Sequence, residues 1–380
     1  MAGIYIHIPF CSSRCVYCGF YSTTHSESKQ TYVNMLLKEM ELRKNYLPKA
    51  HQSIETIYFG GGTPSLLAPR QIQQLLLYIN KVFKVAQKAE ITLECNPDDI
   101  NCEFVKDIRQ IGINRISMGV QTFSIERLKF LKRRHSAQQA IEAMNVLRRN
   151  GFDNISIDLI FGFPEQSLKE WEADLDKALQ LQPEHISAYS LTYEEDTPLD
   201  HWLKQGKIKE LGEEECLKMY QLLVDKLVQN GFEHYEISNF ARQGRRARHN
   251  SCYWTDVPYL GIGAAAHSYD LCTRQWNVEN VEQYIESMQQ GKIPATIEQL
   301  SDIERYNDTI TTSLRTCEGI DLALLESKNG SFFKEYLIKN AQKYLEQNDL
   351  RIKGNHIGLT LKGIFISDTI MADLMMVNSN

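Results

Sequence analysis

The chain has 380 residues, of which 43% are hydrophobic and 24% are charged, so it can bury one large core and a small second one. These values exclude a disordered or fibrous protein, and a net charge of −6 argues against a general nucleic-acid-binding protein, which usually has a strongly basic face. Because nine cysteines include three in one short loop, reduced thiols are favoured over a disulfide framework.

The sequence enters an apolar strand pattern at once, without a basic region, an apolar signal core or an Arg-rich transit segment ahead of it. No stretch approaches the ~18 consecutive apolar residues of a membrane span. We therefore expect a cytoplasmic protein with at most peripheral membrane contact.

Strand and helix patterns alternate through the first part of the chain. Strand-like apolar runs lie at residues 4–8, 56–59, 91–95, 115–120, 155–161 and 185–191. Apolar residues at helical spacing lie at residues 32–46, 70–83, 137–150, 168–181 and 213–229. This alternation predicts an α/β fold of about six βα units, in which helices cover a parallel sheet.

The loop after the first strand reads Cys11-Ser-Ser-Arg-Cys15-Val-Tyr-Cys18. A cubane iron–sulfur cluster normally takes four cysteine thiolates, so three would leave one iron without a protein ligand. The alternative is a structural zinc site, but such a site needs two further ligands and commonly uses two separated cysteine pairs. The spacing predicts a [4Fe–4S] cluster bound by Cys11, Cys15 and Cys18.

The second strand runs into Gly60-Gly61-Gly62, followed by Thr63. Glycines let the main chain approach a ligand closely, and parallel α/β sheets bind ligands at the C-terminal ends of their strands. An ordinary strand-to-helix turn would explain one glycine, but three glycines indicate a ligand site.

Other strand patterns carry polar residues that are candidates for the same site. Glu94 ends the third pattern, Gln121 follows the fourth and Asp158 lies within the apolar fifth. An acid in such an apolar run needs a partner. Barrel enzymes keep their active sites at the C-terminal ends of their strands, so these side chains are expected to meet there.

The cysteine loop and the glycine stretch together resemble the radical-SAM superfamily, in which S-adenosylmethionine (SAM) binds the open iron. The resemblance narrows at residues 5–11, 60–65, 119–123 and 157–164 to the branch of the oxygen-independent coproporphyrinogen III dehydrogenases and the HemW haem chaperones. It implies a partial (βα)6 radical-SAM barrel over residues 1–270, with the cluster, SAM and haem sites. It also implies a SAM site lined by Tyr5, Gly61, Gly62, Thr63, Glu94, Gln121, Arg133 and Asp158.

Two departures from the dehydrogenases resemble HemW proteins. Phe20 stands where the dehydrogenases carry a fourth cysteine, and their longer segment before the cluster loop has no counterpart here. The leading interpretation is a haem chaperone that passes haem to an acceptor protein and has an electron donor for its cluster. The alternative is radical decarboxylation of coproporphyrinogen III propionates, and the question whether SAM is cleaved stays open.

Residues 248–254, Arg-His-Asn-Ser-Cys-Tyr-Trp, match the His-Asn-x-x-Tyr-Trp motif of HemW proteins. The resemblance implies a haem site at His249, Tyr253 and Trp254, with His249 as the axial ligand of the haem iron. An imidazole can ligate haem iron, and aromatic rings offer flat faces to a porphyrin. Cys252 and His267 are alternative ligands. Four arginines lie nearby, namely Arg242, Arg245, Arg246 and Arg248. They would either bind the haem propionates or belong to a solvated loop.

The sequence changes character from about residue 290. Helical patterns at residues 302–316 and 332–345 precede a hairpin pattern at residues 350–359, which turns at Gly354-Asn355, and a last helix. We predict a small mixed, winged-helix-like domain over residues 290–380. Before it, a small-residue run at residues 261–269 is expected to close the barrel near the ligand cavity.

Overall fold

The computed structural model describes residues 1–377. The strands are β1 (Ala2–Ile8), β2 (Ser53–Gly61), β3 (Lys84–Cys95), β4 (Arg115–Gln121), β5 (Ile155–Phe161), β6 (His185–Ser190), β7 (Glu233–Glu236), β8 (Asn239–Ala241), β9 (Tyr259–Ile262), β10 (His267–Tyr269), β11 (Thr273–Asn277), β12 (Ala295–Gln299), β13 (Ile320–Asp321), β14 (Leu350–Lys353) and β15 (His356–Leu359). The helices are α1 (Lys29–Leu42), α2 (Pro69–Val82), α3 (Cys102–Gln110), α4 (Ile125–Phe130), α5 (Ala137–Arg149), α6 (Leu168–Gln180), α7 (Pro198–Lys204), α8 (Glu213–Gln229), α9 (Arg248–Trp254), α10 (Val281–Gln289), α11 (Asp302–Ser313), α12 (Leu322–Asn329), α13 (Ser331–Glu346), α14 (Leu361–Ile364) and α15 (Ser367–Leu374).

Six parallel strands, β1 to β6, lie side by side in chain order and form the wall of the barrel. They correspond to the six predicted strands, so the α/β prediction is confirmed. The sheet then continues past both edges in the order β12-β11-β10-β9-β1-β2-β3-β4-β5-β6-β8-β7. Because β1 and β6 do not pair with each other in this order, the barrel is partial.

The main core lies between the outer face of the sheet and the helices. On β1 the side chains of Ile4, Ile6 and Ile8 are fully buried, whereas Tyr5 and His7 face the barrel interior. Strand residues alternate between the two faces of a sheet, so one strand supplies both the core and the site. The helical patterns did not predict α3, which is short but has Asn101 as N-cap, with its side chain accepting from the Phe104 N–H.

The sheet of the barrel extends beyond the predicted limit of the first domain. Strands β10, β11 and β12 add to it in antiparallel fashion, and the last of them ends at Gln299. The C-terminal domain is predicted to begin at residue 290, but its first helix is α11, which begins at Asp302.

The C-terminal domain has its own core and its own sheet, in the order β13-β15-β14. The hairpin of β14 and β15 turns at Gly354, whose φ is +60°, as the Gly-Asn signal predicted. The prediction of a small domain of helices and a hairpin is confirmed; its last three residues lie outside the described part of the chain. In residues 1–377, no helix is long and apolar enough to cross a membrane.

Candidate functional site

The three predicted cluster cysteines lie on the loop that leaves the C-terminal end of β1. Cys11, Cys15 and Cys18 are free thiols with partly exposed side chains. The loop is anchored by main-chain hydrogen bonds from Cys11 N–H to the Thr23 carbonyl at 2.9 Å and from Val16 N–H to the Leu131 carbonyl at 3.4 Å. Burial raises the pKa of the Cys18 thiol, so cluster binding would have to displace its proton.

The surroundings of these thiols fit a cluster. Arg133 Nη1 donates to Cys15 Sγ at 3.5 Å, and Thr63 Oγ1 lies 3.5 Å from Cys11 Sγ. A guanidinium donor beside the sulfur complements the negative charge that a cysteine ligand of a cluster carries. In residues 1–377, no three His, Cys, Asp or Glu side chains are grouped so as to hold a single ion. A cubane cluster does not need three side chains around one ion, because each thiolate binds a different iron.

The glycine stretch packs the end of β2 directly against the start of the cysteine loop. Gly62 N–H donates to the Ile8 carbonyl at 2.8 Å, and a Cβ on Gly62 would lie 2.8 Å from the Pro9 carbonyl carbon. Gly61 has a φ of +113°, and a Cβ there would lie 2.7 Å from the His7 ring. Both positions require glycine because the two strand ends lie in contact.

Two predicted acids, Glu94 and Asp158, lie on the barrel strands β3 and β5. Glu94 accepts hydrogen bonds from the Tyr58 hydroxyl at 2.6 Å and from Gly61 N–H at 3.2 Å. Asp158 accepts from Ser117 Oγ at 3.5 Å. Burial raises the pKa of Glu94 to about 7 and the pKa of Asp158 to about 6. A cationic ligand beside either carboxyl group would favour its charged form and lower its pKa again.

Glu94 should make the stability of the protein without SAM depend on pH. Burial raises its pKa to about 7 in the folded chain, against an ordinary value of 4.5, so the folded state binds the proton more tightly. Its contribution to the free energy of unfolding is complete below the unfolded pKa and is lost as pH rises through the folded pKa. Anaerobic urea unfolding at pH 5 and pH 8 should show a smaller decline for Glu94→Gln than for the wild type. Exposed Glu103→Gln is the control, and equal declines for wild type and Glu94→Gln would contradict the assignment.

Arg133 links the cluster loop to the end of β4. Its Nη2 donates to Asn96 Oδ1 at 2.6 Å and to the Gly119 carbonyl at 2.7 Å. Its buried Nε has no partner in the described part of the chain. A buried donor without an acceptor is costly, so this site suits a ligand that brings a carboxylate. Gln121, which has a φ of +68°, lies near Arg133. A Cβ on Gly119 would lie 2.8 Å from Gln121 Nε2 and 3.2 Å from Arg133 Nη2.

The structure adds residues that the sequence analysis missed. The Tyr5 hydroxyl lies 3.0 Å from His7 Nδ1, and His7 Nε2 lies 3.2 Å from the Tyr21 carbonyl of the cluster loop. The ring of Tyr5 stacks on Tyr58 with centroids 6.1 Å apart. Tyr58 holds Glu94 and was missed because a lone tyrosine in an apolar strand has no distinctive pattern.

The structure places His249 in the interior, at the N-terminal end of the barrel. The side chain is 0% exposed. Its Nδ1 is hydrogen-bonded to Thr56 Oγ1 at 2.8 Å, and its Nε2 is hydrogen-bonded to the Tyr253 hydroxyl at 3.0 Å. Its ring stacks on Tyr58, with ring centroids 5.1 Å apart. Burial lowers its pKa to about 3. Because both ring nitrogens are engaged and shielded, this arrangement does not support the prediction that His249 ligates haem iron.

The other residues of the predicted haem motif are also engaged within the protein. The Tyr253 ring packs edge-on against Tyr259, with centroids 4.8 Å apart, and the Arg315 guanidinium lies over Trp254 at 5.1 Å. Cys252 is 3% exposed, and burial raises the pKa of its thiol to about 11. A protonated thiol is a poor ligand, so this alternative is also disfavoured.

The arginines of the adjoining loop each have an acceptor in the protein. These contacts are Arg242 with the Pro183 carbonyl, Arg245 with Asp153, Arg246 with Glu233 and Arg248 with Glu55. The structure thus favours the solvated-loop alternative over a propionate site.

The small-residue run before β10 lets main-chain segments pack closely. A Cβ on Gly261 would lie 2.0 Å from the His267 carbonyl oxygen, and a Cβ on Gly263 would lie 2.9 Å from the His7 carbonyl oxygen. His267 itself is exposed, and its ring stacks on Trp276. Of the three predicted haem ligands, only His267 has an exposed side chain, whereas His249 and Cys252 are buried.

Comparisons with known proteins identify relatives over the full length of the chain. Residues 5–178 match the family model "Radical SAM superfamily", and residues 300–366 match "HemN C-terminal domain". The chain is 34% identical to "Heme chaperone HemW" of Bacillus subtilis, over 97% of this chain and 100% of that protein. It is 36% identical to "Heme chaperone HemW" of Escherichia coli, over 70% of this chain and 69% of the relative.

A solved structure shares the whole fold. The coproporphyrinogen III oxidase HemN of Escherichia coli, described as a radical-SAM enzyme, aligns with 99% of this chain and 90% of its own, with a TM-score of 0.85 and 23% identity. At that identity the likeness concerns the fold alone. The radical-SAM assignment implies a [4Fe–4S] cluster and SAM as cofactors. The identity to relatives across the full chain shows that this protein belongs to the HemW family of the radical-SAM superfamily.

Proposed function

We propose that the chain is a haem chaperone, which binds haem and passes it to an acceptor protein with the help of its cluster and SAM. The observation that carries this proposal is the 34% identity over the whole length of a relative named as a haem chaperone. Phe20 adds support, because it offers no thiol at the position where the dehydrogenases carry their fourth cysteine.

In this proposal the end of the barrel that carries the cysteine loop binds both cofactors. Cys11, Cys15 and Cys18 ligate three irons, and the fourth iron gives SAM a place to bind. The residues assigned to SAM are Tyr5, Gly61, Gly62, Thr63, Glu94, Gln121, Arg133 and Asp158. Their chemistry suits the ligand, since the carboxyl groups accept from ammonium or ribose hydroxyls and the arginine pairs with a carboxylate.

Arg133 provides a direct test of the SAM site. Adding SAM should perturb the EPR spectrum of the reduced cluster. Arg133→Gln should weaken SAM binding by about tenfold or more, because it removes a charge-assisted hydrogen bond of roughly 1.5–3 kcal/mol. Arg134→Gln is the matched control, since Arg134 pairs with Asp98 and Asp99 on a partly exposed surface. An EPR spectrum unchanged by saturating SAM would rule out the assignment.

The proposal is tested against the dehydrogenase alternative in one anaerobic experiment. The reconstituted protein receives SAM, a reductant and coproporphyrinogen III, and a parallel sample is titrated with haem. We expect a saturable haem spectrum and no protoporphyrinogen. Formation of protoporphyrinogen without haem binding would overturn the proposal and establish the alternative.

A further inference from the structure

Strands β9 to β12 extend the sheet beyond β1, and one of their faces continues the face of β1 that lines the barrel interior. Residues paired across neighbouring strands share a face, and residues two apart on one strand do too. Tyr5 on β1 pairs with Gly261 on β9, and Tyr259 lies two residues before Gly261. Tyr259 therefore shares the face of Tyr5. Tyr259 also pairs with Tyr269 on β10, which places Tyr269 on the same face. His267 lies two residues before Tyr269 and therefore also shares the face of Tyr5.

His267 is also at the end of the sheet where the cluster loop lies. Strand β10 runs antiparallel to β9, so His267 lies toward the C-terminal end of β9 and of its parallel neighbour β1. His7, which contacts the cluster loop, has its pKa lowered to about 4 mainly by burial, with a smaller electrostatic effect from His267. Because His7 lies two residues after Tyr5 on β1, His7 and His267 lie on the same face of the sheet.

The His267 ring is oriented by an aromatic neighbour. It pairs with Trp276 on β11, and the two rings lie nearly parallel, at 24°, with centroids 6.1 Å apart. The imidazole is exposed, and its nitrogens have no hydrogen-bond partner among residues 1–377. Burial of part of the ring lowers the pKa of His267, which favours the neutral form that binds metal.

We propose that His267 is the axial ligand of the haem iron, held in position by Trp276 beside the mouth of the barrel. This inference rests on the proposed haem-chaperone function. An axial imidazole is perpendicular to the porphyrin plane. Trp276, whose ring is nearly parallel to the imidazole, therefore cannot stack on the porphyrin face and acts as a positioning residue for His267. The site differs from the predicted one because the His249 ring has no accessible nitrogen.

The test is a titration of the reconstituted full-length chain with ferric haem, followed by the Soret band and the haem EPR spectrum. His267→Ala should lower haem affinity at least tenfold and change both spectra. Added imidazole should restore the wild-type spectra, a rescue that a merely structural role would not allow. His25→Ala, which removes another exposed imidazole, should behave as the wild type does.

The outcomes separate this inference from the function on which it rests. If the wild type binds no haem, the proposed function fails and this inference fails with it. If the wild type binds haem and His267→Ala keeps the same affinity and spectra, His267 is not the ligand while the chaperone proposal stands. Thermal unfolding and the cluster absorbance of each variant show whether it is folded.

Discussion

Replacing Cys15 by alanine is expected to abolish the brown chromophore of the reconstituted protein and the EPR signal of its reduced cluster. The loop offers only three thiols, and two thiolates leave two irons without a protein ligand. Cys15 also accepts from Arg133 in the present structure, so the substitution leaves that guanidinium with one partner fewer. Iron and sulfide content, absorbance and EPR after anaerobic reconstitution provide the measurement.

The control for this substitution is another cysteine of the same chain. Cys102 is exposed on α3, away from the cysteine loop in sequence, and Cys102→Ala should retain a full cluster. A full cluster in Cys15→Ala would show that the three-cysteine assignment is incorrect.

Replacing His249 by alanine should lower the free energy of unfolding by roughly 2–5 kcal/mol. The imidazole is fully buried, and its loss leaves a cavity beneath Tyr58 and removes the partners of Thr56 and Tyr253. Unsatisfied buried polar groups add their own penalty. Anaerobic urea unfolding measures the change, with exposed His25→Ala as the control.

The same variant distinguishes a structural role of His249 from ligation. In the fraction that folds, we expect His249→Ala to give the haem spectrum of the wild type. An unchanged stability combined with an altered haem spectrum would restore His249 as the ligand and refute the structural role described here.

The barrel was predictable because its signals are local. Each parallel strand is an apolar run, and β5 was predicted with the bounds that the structure shows. The cysteine loop and the glycine stretch were also visible as contiguous patterns. Short helices were harder to predict, since α3 has only 9 residues and little room for a periodic pattern.

The accessibility of His249 was not predictable in the same way, because partners distant in sequence decide whether an imidazole is accessible. Thr56, which bonds His249, lies 193 residues away along the chain. A contiguous motif shows neither that bond nor the burial of the ring. Similarly, glycines at the end of β2 indicated a ligand, but the structure shows that Gly62 is also required by the main chain of the cysteine loop.

The most direct test of the central claim is the transfer of haem. The reconstituted, haem-loaded chain is mixed with apomyoglobin as a probe acceptor, with and without SAM and reductant, and the holomyoglobin absorbance is followed over time. We expect haem to move from the chain to the acceptor, at a rate that SAM or cluster reduction changes. Haem that stays on the chain under every condition, or that moves at the same rate with and without SAM and reductant, would contradict the chaperone function.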